Sequence, residues 1–236
     1  MQSEVITGRI GIIGAMQIEI DGLVAKMTDT KTHTVSGVKF TEGKLAGRDV
    51  VVAVCGVGKV FAAICAEAMI LRFGVGALLN TGVAGGLLPL LEVGDVALAD
   101  AVVQHDMNTT ALGDAPGLLS GINVVKIPTD PRLLKPLCEA VAELEINSVV
   151  GTIASGDLFV AEEKTKATIV ERFDAIACEM EGAAIGHVAF VNNVPFAVIR
   201  AISDGGDGME FSKFVTLAAE QSIAVTEAFL QKLSTT

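Results

Sequence analysis

Four carboxylates and one arginine stand where a largely apolar chain has least reason to put charge. Glu19 lies in GAMQIEIDGL (14–23), Glu179 and Glu181 flank Met180 in ACEMEGAAI (177–185), and Arg200 and Asp204 share FAVIRAISDGGD (196–207). Charged side chains are seldom fully buried without a partner, yet the flanks of these stretches read as interior. Two carboxylates in one crevice can divide an acid–base reaction, one donating a proton and the other deprotonating water. Desolvation in a crevice favours the neutral form of a carboxyl, which a proton donor needs. Each stretch also has a plainer reading. Glu19, and the Glu179/Glu181 pair, suit helix starts, where negative charge meets the dipole, and for Glu19 taken alone this is the default. Asp204 before Gly-Gly suits a turn at even odds. The sharper reading of Glu179 and Glu181 is that they face a ligand rich in hydroxyls.

The glycine motifs are individually weak. CGVGKV (55–60) ends like a phosphate-binding loop, but that pattern needs glycine where Ala53 stands and Ser or Thr where Val60 stands. It is rejected as such, leaving a glycine turn beside a Lys59 expected to be solvated. NTGVAGG (80–86) reads as a turn after a strand, either structural or a place where backbone approaches a flat ligand. In ASGDLFVAEE (154–163), Phe159 is available to stack on a ring, although a core phenylalanine is the default.

Composition narrows the function classes. The 236 residues carry 17 Lys+Arg against 28 Asp+Glu, a net charge of −11, with no Tyr or Trp. Nucleic-acid binding, which needs phosphate-neutralising cations and stacking rings, is disfavoured. Half the residues are hydrophobic, but the most apolar stretch, VFAAICAEAMILRFGVGALL (60–79), is broken by Glu67 and Arg72. No membrane span and no signal peptide are expected. Cys55, Cys65, Cys138 and Cys178 are scattered, as are His33, His105 and His187, so buried thiols in a reducing cytoplasm are expected and a metal site is not.

The elements that must position these residues follow from periodicity. An apolar run at 9–16 predicts a buried strand entering a helix at 17–27, and turn glycines divide 31–55 into antiparallel hairpin strands. Helical spacing marks 58–74, and 75–87 reads as a strand opening into a glycine-rich turn. Further strands are predicted at 95–104, 123–127, 149–154, 175–179 and 195–203, with helices at 130–143, 161–171, 181–192 and 210–233. The class is α/β, one domain over 1–236 with a central mixed β-sheet flanked by helices and a flexible extension at 1–8. Ligands in such folds gather at the C-terminal ends of strands, where all four carboxylates fall.

In chain order, IGIIGAM-x-x-E, CGVGK, NTG-x-AGG, SGD-x-F, EMEG-AAI and R-A-I-S-D resemble the 5′-methylthioadenosine/S-adenosylhomocysteine nucleosidases of the nucleoside phosphorylase superfamily. The resemblance spans residues 9 to about 233, and the combination is highly specific. It implies a nucleoside phosphorylase-like fold and a cofactor-free, metal-free, irreversible hydrolysis of the N-glycosidic bond, giving adenine and a 5-thioribose product, as in methionine salvage. It implies that Asp204 is the acid directed at purine N7 and that Glu19 holds and deprotonates water. Glu181 would bind the ribose 2′- and 3′-hydroxyls, with Met180 packed on the sugar, Glu179 near it and Arg200 ordering the cluster. Phe159 would stack on adenine and the Val160 backbone would read its edge. Met16, Val57 and Phe211 would line the sugar and alkylthio end, and Val83, Ala84, Gly85 and Ser203 complete the expected substrate-binding set. Because the family is dimeric, Thr109 and Leu112 would reach the pocket of a partner subunit in a homodimer.

Three departures from the family pattern are visible. Val83 stands where many members have serine, so a side-chain hydroxyl beside the acid is expected to be absent. Gln104 replaces a common aromatic, and the stretch between Asp204 and Phe211 is short. A phosphorolytic relative would need arginines for phosphate, typically one where this chain has Asn80; of six arginines only Arg200 lies in a motif. A non-catalytic nucleoside-binding relative would be expected to lack Glu19 or Asp204. Aminodeoxyfutalosine cleavage stays open within the same family.

Overall fold

The computed structural model describes residues 6–205 and 208–234. Strand β1 (Ile10–Gly14) is buried throughout. Its side chains alternate, Ile10 and Ile12 joining one core cluster and Ile13 the other, as expected of a strand covered on both faces. Helix α1 (Gln17–Ala25) follows. Next come three antiparallel strands, β2 (Thr28–Val35), β3 (Val38–Leu45) and β4 (Arg48–Val54). Their two-residue turns, Ser36-Gly37 and Ala46-Gly47, have positive φ at both positions, the geometry that matches strand twist in tight hairpins.

Helix α2 (Lys59–Phe73) stops at Gly74, which adopts φ 61°, a left-handed cap that glycine accepts without strain. Strands β5 (Ala77–Gly86), β6 (Val96–Gln104) and β7 (Lys126–Pro128) precede helix α3 (Pro131–Glu143). Strand β8 (Ser148–Ser155), helix α4 (Glu163–Phe173), strand β9 (Ala175–Glu179) and helix α5 (Gly182–Val191) lead to strand β10 (Phe196–Asp204) and helix α6 (Gly208–Ser234).

One expectation is corrected. NTGVAGG is not a turn: β5 runs through it to Gly86. Its backbone is held on one side by β10, with Asn80 to Ala84 in register, and at its end by β9, where Gly85 and Gly86 face Cys178 and Ala177. Pairing on both sides outweighs the poor strand preference of glycine. A short 3-10 turn at Thr110–Leu112 also lies outside the predicted elements.

The strands form one mixed sheet in the order β10-β6-β8-β9-β5-β1-β4-β3-β2, with β7 on β6. Because β10 also pairs β5, five strands (β5, β10, β6, β8 and β9) close into a ring, and β1 to β4 extend from it. Helices α2 and α5 pack on one face, and α1, α3 and α6 on the other. Helix α4 covers the ends of β8 and β9 through Ile169 and Phe173. At the N-terminus, Ile6 is buried and its carbonyl accepts from Arg48 Nη2 at 3.1 Å. Residues 1–5 of the expected extension lie outside the described residues, as do positions 206–207 of the short stretch after Asp204.

Candidate active site

The C-terminal ends of β1, β5, β9 and β10 open on one cavity of about 290 Å³, near the lower end of the range for small-molecule sites. All four carboxylates line it, together with Arg200. Glu19 sits in the first turn of α1, as the dipole reading had it, but it is buried. Its Oε2 accepts from the backbone N–H of Ala15 at 2.7 Å and of Met16 at 2.8 Å, and its Oε1 from that of Val83 at 3.0 Å. Burial raises its pKa above the ordinary 4.5, against the opposing pull of Arg200 and these three donors.

Glu179 and Glu181 divide the two roles open to them in the sequence. The Oε2 of Glu179 accepts from the N–H of Glu181 at 2.9 Å and of Gly182 at 2.7 Å, capping α5, and also pairs with Arg200. Its Oε1 takes the hydroxyl of Ser155, whose oxygen in turn accepts from Ala183 N. Glu181 turns towards the cavity. Its Oε1 accepts from Gly58 N at 2.9 Å and its Oε2 from Arg200 Nη2 at 3.3 Å. Desolvation first, then the neighbouring Glu179 and Glu19 charges, push it up to about 7 against the pull of Arg200.

Among the described residues, Arg200 is the largest fully buried side chain. Alternation along β10 sends it to the same face as Val198 and Ile202. There it meets Glu179, Glu181 and Asn80 Oδ1 through Nη2, and the Val83 carbonyl through Nη1. Burial works against its charge, but the surrounding carboxylates more than offset this and hold it protonated. At the end of the same strand the register with β5 slips between Ile202 and Asp204, a bulge of the kind that re-aims side chains beside active sites. Asp204 thereby faces Gly85. Ser203 Oγ donates to Asp204 Oδ2 at 2.8 Å, so Asp204 has a hydroxyl neighbour although Val83 supplies none.

The apolar part of the site gathers at its mouth. Val57, Leu158 and Phe159 are about half exposed while the carboxylates are buried, so the cavity runs from an apolar entrance to a charged floor. Phe159 meets Phe211 of α6 edge-on, ring centres 5.8 Å apart. Met16, Val83, Ala84, Gly85, Val160, Met180 and Ser203 complete the expected lining. Thr109 and Leu112 stand outside it, Leu112 with 84% of its surface exposed.

Other participants were given no role of their own in the sequence, although Ala15, Leu158 and Asn80 fall in the strand-end stretches where ligands gather. Ala15, Leu158 and Cys178 also line the cavity, and Asn80 joins Arg200 to the Ile13 carbonyl. Lys59, expected to be solvated, instead pairs with Asp106 at 2.6 Å, and its N–H donates to Asp157 Oδ1 at 2.8 Å. That clamp secures the start of α2 next to the Gly58 donor. Backbone donors and clamps of this kind depend on chain segments far apart in sequence, so only side chains with intrinsic chemistry were readable.

The family model of the phosphorylase superfamily matches residues 9–231. The 5′-methylthioadenosine/S-adenosylhomocysteine nucleosidase of Shewanella oneidensis is 37% identical over 230 residues, 95% of this chain and 97% of that one. Among solved structures, the corresponding Neisseria meningitidis nucleosidase in complex with methylthio-immucillin-A superposes with TM-score 0.92 at 33% identity, covering 95% of this chain and 99% of that one. The futalosine hydrolase of Helicobacter pylori superposes with TM-score 0.90 at 34% identity, covering 94% and 97%. With buried carboxylates and an arginine gathered at the strand ends and this likeness along nearly its whole length, the chain belongs to the phosphorylase superfamily and, within it, to the 5′-methylthioadenosine/S-adenosylhomocysteine nucleosidases.

Proposed function

We propose that this enzyme hydrolyses the N-glycosidic bond of 5′-methylthioadenosine and S-adenosylhomocysteine, releasing adenine and the 5-thioribose product. The observation that carries the reading is the convergence of Glu19, Glu181, Arg200 and Asp204 on one cavity whose mouth is apolar. Asp204 donates a proton to N7 of the departing adenine. Glu19, with three of about four acceptor positions filled by backbone donors, has one left for a water molecule, which it orients and deprotonates. Glu181, with two positions filled, has two left for the ribose 2′- and 3′-hydroxyls. The buried carboxylates also favour the cationic sugar that forms as the bond breaks. Phe159 and the Val160 backbone take the adenine, and Met16, Val57, Met180 and Phe211 the sugar and its 5′-substituent.

Water, not phosphate, is the nucleophile in this reading. Among the described lining residues Arg200 is the one cation, and Glu179, Glu181 and Asn80 occupy its Nη2. The likeness to futalosine hydrolase supports a second reading, cleavage of an aminodeoxyfutalosine-type nucleoside at the same site. We also propose that the chain, as one nucleosidase domain, acts as a cytoplasmic homodimer in which Thr109 and Leu112 serve the partner's pocket. The exposed apolar residues Val60, Phe61 and Ile64 on α2 and the four free cysteines support this. The test is adenine release in phosphate-free buffer from methylthioadenosine, S-adenosylhomocysteine, 5′-deoxyadenosine, aminodeoxyfutalosine and inosine. Release from the first two is expected; release from aminodeoxyfutalosine alone would favour the second reading, and from inosine alone would sink both.

A further inference from the structure

Helix α6 reaches the strand that holds Glu19 through a chain of buried hydroxyls. Alternation along β5 places Thr81 and Val83 towards α6, while Asn80 and Gly82 face Arg200. Ser222 and Thr226 lie one turn apart on α6, and with Thr81 they are fully buried. Burying three hydroxyls is costly unless each is bonded.

The ends of the chain fix its direction. The Gly82 N–H can only donate, and does so to Ser222 Oγ at 3.0 Å. The Ser222 carbonyl can only accept, and does so from Thr226 Oγ1 at 2.8 Å. Between them, Thr81 Oγ1 lies 2.6 Å from Ser222 Oγ and 2.9 Å from Thr226 Oγ1. Each hydroxyl has one proton, so Ser222 donates to Thr81, Thr81 to Thr226, and Thr226 to the Ser222 carbonyl.

The backbone held in this way is the part of β5 that touches the catalytic groups. The next residue, Val83, gives its N–H to Glu19 Oε1 at 3.0 Å and its carbonyl to Arg200 Nη1 at 3.3 Å. A Cβ on Gly82 would lie 2.4 Å from Glu19 Oε1 and 2.6 Å from Arg200 Nη1, so the base and the arginine close over this residue without slack. A glycine-rich strand has little side-chain packing to set its height, and here the hydroxyls supply the anchor.

We propose that Ser222, with Thr81 and Thr226, is a positioning residue for the hydrolysis: the hydroxyl chain fixes β5 at Gly82 and so aims the remaining acceptor position of Glu19 at the attacking water. This rests on the role of Glu19 as the base. Thr81→Val removes a hydroxyl at nearly constant shape, and Thr81→Ser keeps it. The experiment pairs kcat and KM for adenine release with titration of the Glu19 carboxyl by 13C NMR in ligand-free protein. Arg200, Glu181 and Cys55 face Glu19 electrostatically, and neither variant alters them. Thr81→Val is expected to lower kcat on the order of 10–100-fold, the scale of a small misplacement, with KM within about twofold. The Glu19 midpoint should rise, because a weakened Val83 donor stabilises the carboxylate less, and Thr81→Ser should restore both. A wild-type kcat and an unmoved midpoint in Thr81→Val would overturn the proposal, whatever its melting temperature. If Thr81→Val does not fold, Ser222→Ala carries the same two readouts. The titration needs no turnover, so a wild type that released no adenine would count against the proposed function while the midpoint still decided the positioning.

Discussion

Glu19, Glu179 and Glu181 share one buried cluster, and the number of oxygen lone pairs already used by the protein separates their duties. Glu179 is committed to Ser155, the start of α5 and Arg200, whereas Glu19 and Glu181 keep acceptor capacity facing the cavity. The sequence made all three visible as charges in apolar surroundings, and only the family resemblance gave them separate roles; the physical basis of that separation lies in the backbone N–H groups of Val83, Gly58 and Gly182. Asp204→Asn should keep a cooperative melt and lose adenine release by about 10²–10⁴-fold, the usual worth of a general acid; wild-type turnover would remove Asp204 from the mechanism. Glu181 carries a pH signature. Its folded pKa, about 7, lies above the ordinary 4.5, so the native state binds the extra proton and its stabilising contribution is complete below about 4.5. That contribution is lost as pH rises to about 7. The melting temperature of Glu181→Gln should therefore gain on that of wild type across this window, read by thermal melts at several pH values. A constant difference would contradict the assigned shift.

At the scale of elements, strand ends were readable because short apolar runs stop abruptly at Ala15, Glu179 and Asp204, where the chemistry begins. What misled was glycine. NTGVAGG has the composition of a turn, yet pairing with β9 and β10 makes it strand, and composition carries no trace of partners a hundred residues away. The same blindness hid the Thr81–Ser222–Thr226 chain, whose members read as ordinary small polar residues. Gly58 shows what a glycine in the right place does. At the start of α2 it has φ 105° and ψ 160°, a region nearly exclusive to glycine, and its N–H holds Glu181. Gly58→Ala should cost about 1–3 kcal/mol of stability, seen in denaturant unfolding. It should also raise KM for the nucleoside more than it lowers kcat, because the ribose ligand, not the acid, loses its support; an unchanged KM would argue against that placement of the ribose.

For the molecule as a whole, the α/β class and mixed sheet followed from the alternation of apolar runs and helical spacing, but ring closure did not. It depends on β10 lying between β5 and β6, a long-range pairing that no local pattern encodes. The exposed apolar side of α2 is also a whole-molecule feature: Val60 is 69% exposed, and burying such residues is the common driving force for association. If the proposed dimer forms through this face, Val60→Glu should shift it towards monomer in light scattering and reduce turnover per chain, since the proposed contribution of Thr109 and Leu112 to the partner's pocket would be lost; a fully active monomer would contradict the shared pocket. The chemistry itself is tested most directly by product analysis of methylthioadenosine turnover across a range of inorganic phosphate. Hydrolysis by Glu19 and Asp204 gives adenine and free 5-methylthioribose at a rate independent of phosphate. A rate that requires phosphate and yields a sugar 1-phosphate would contradict it.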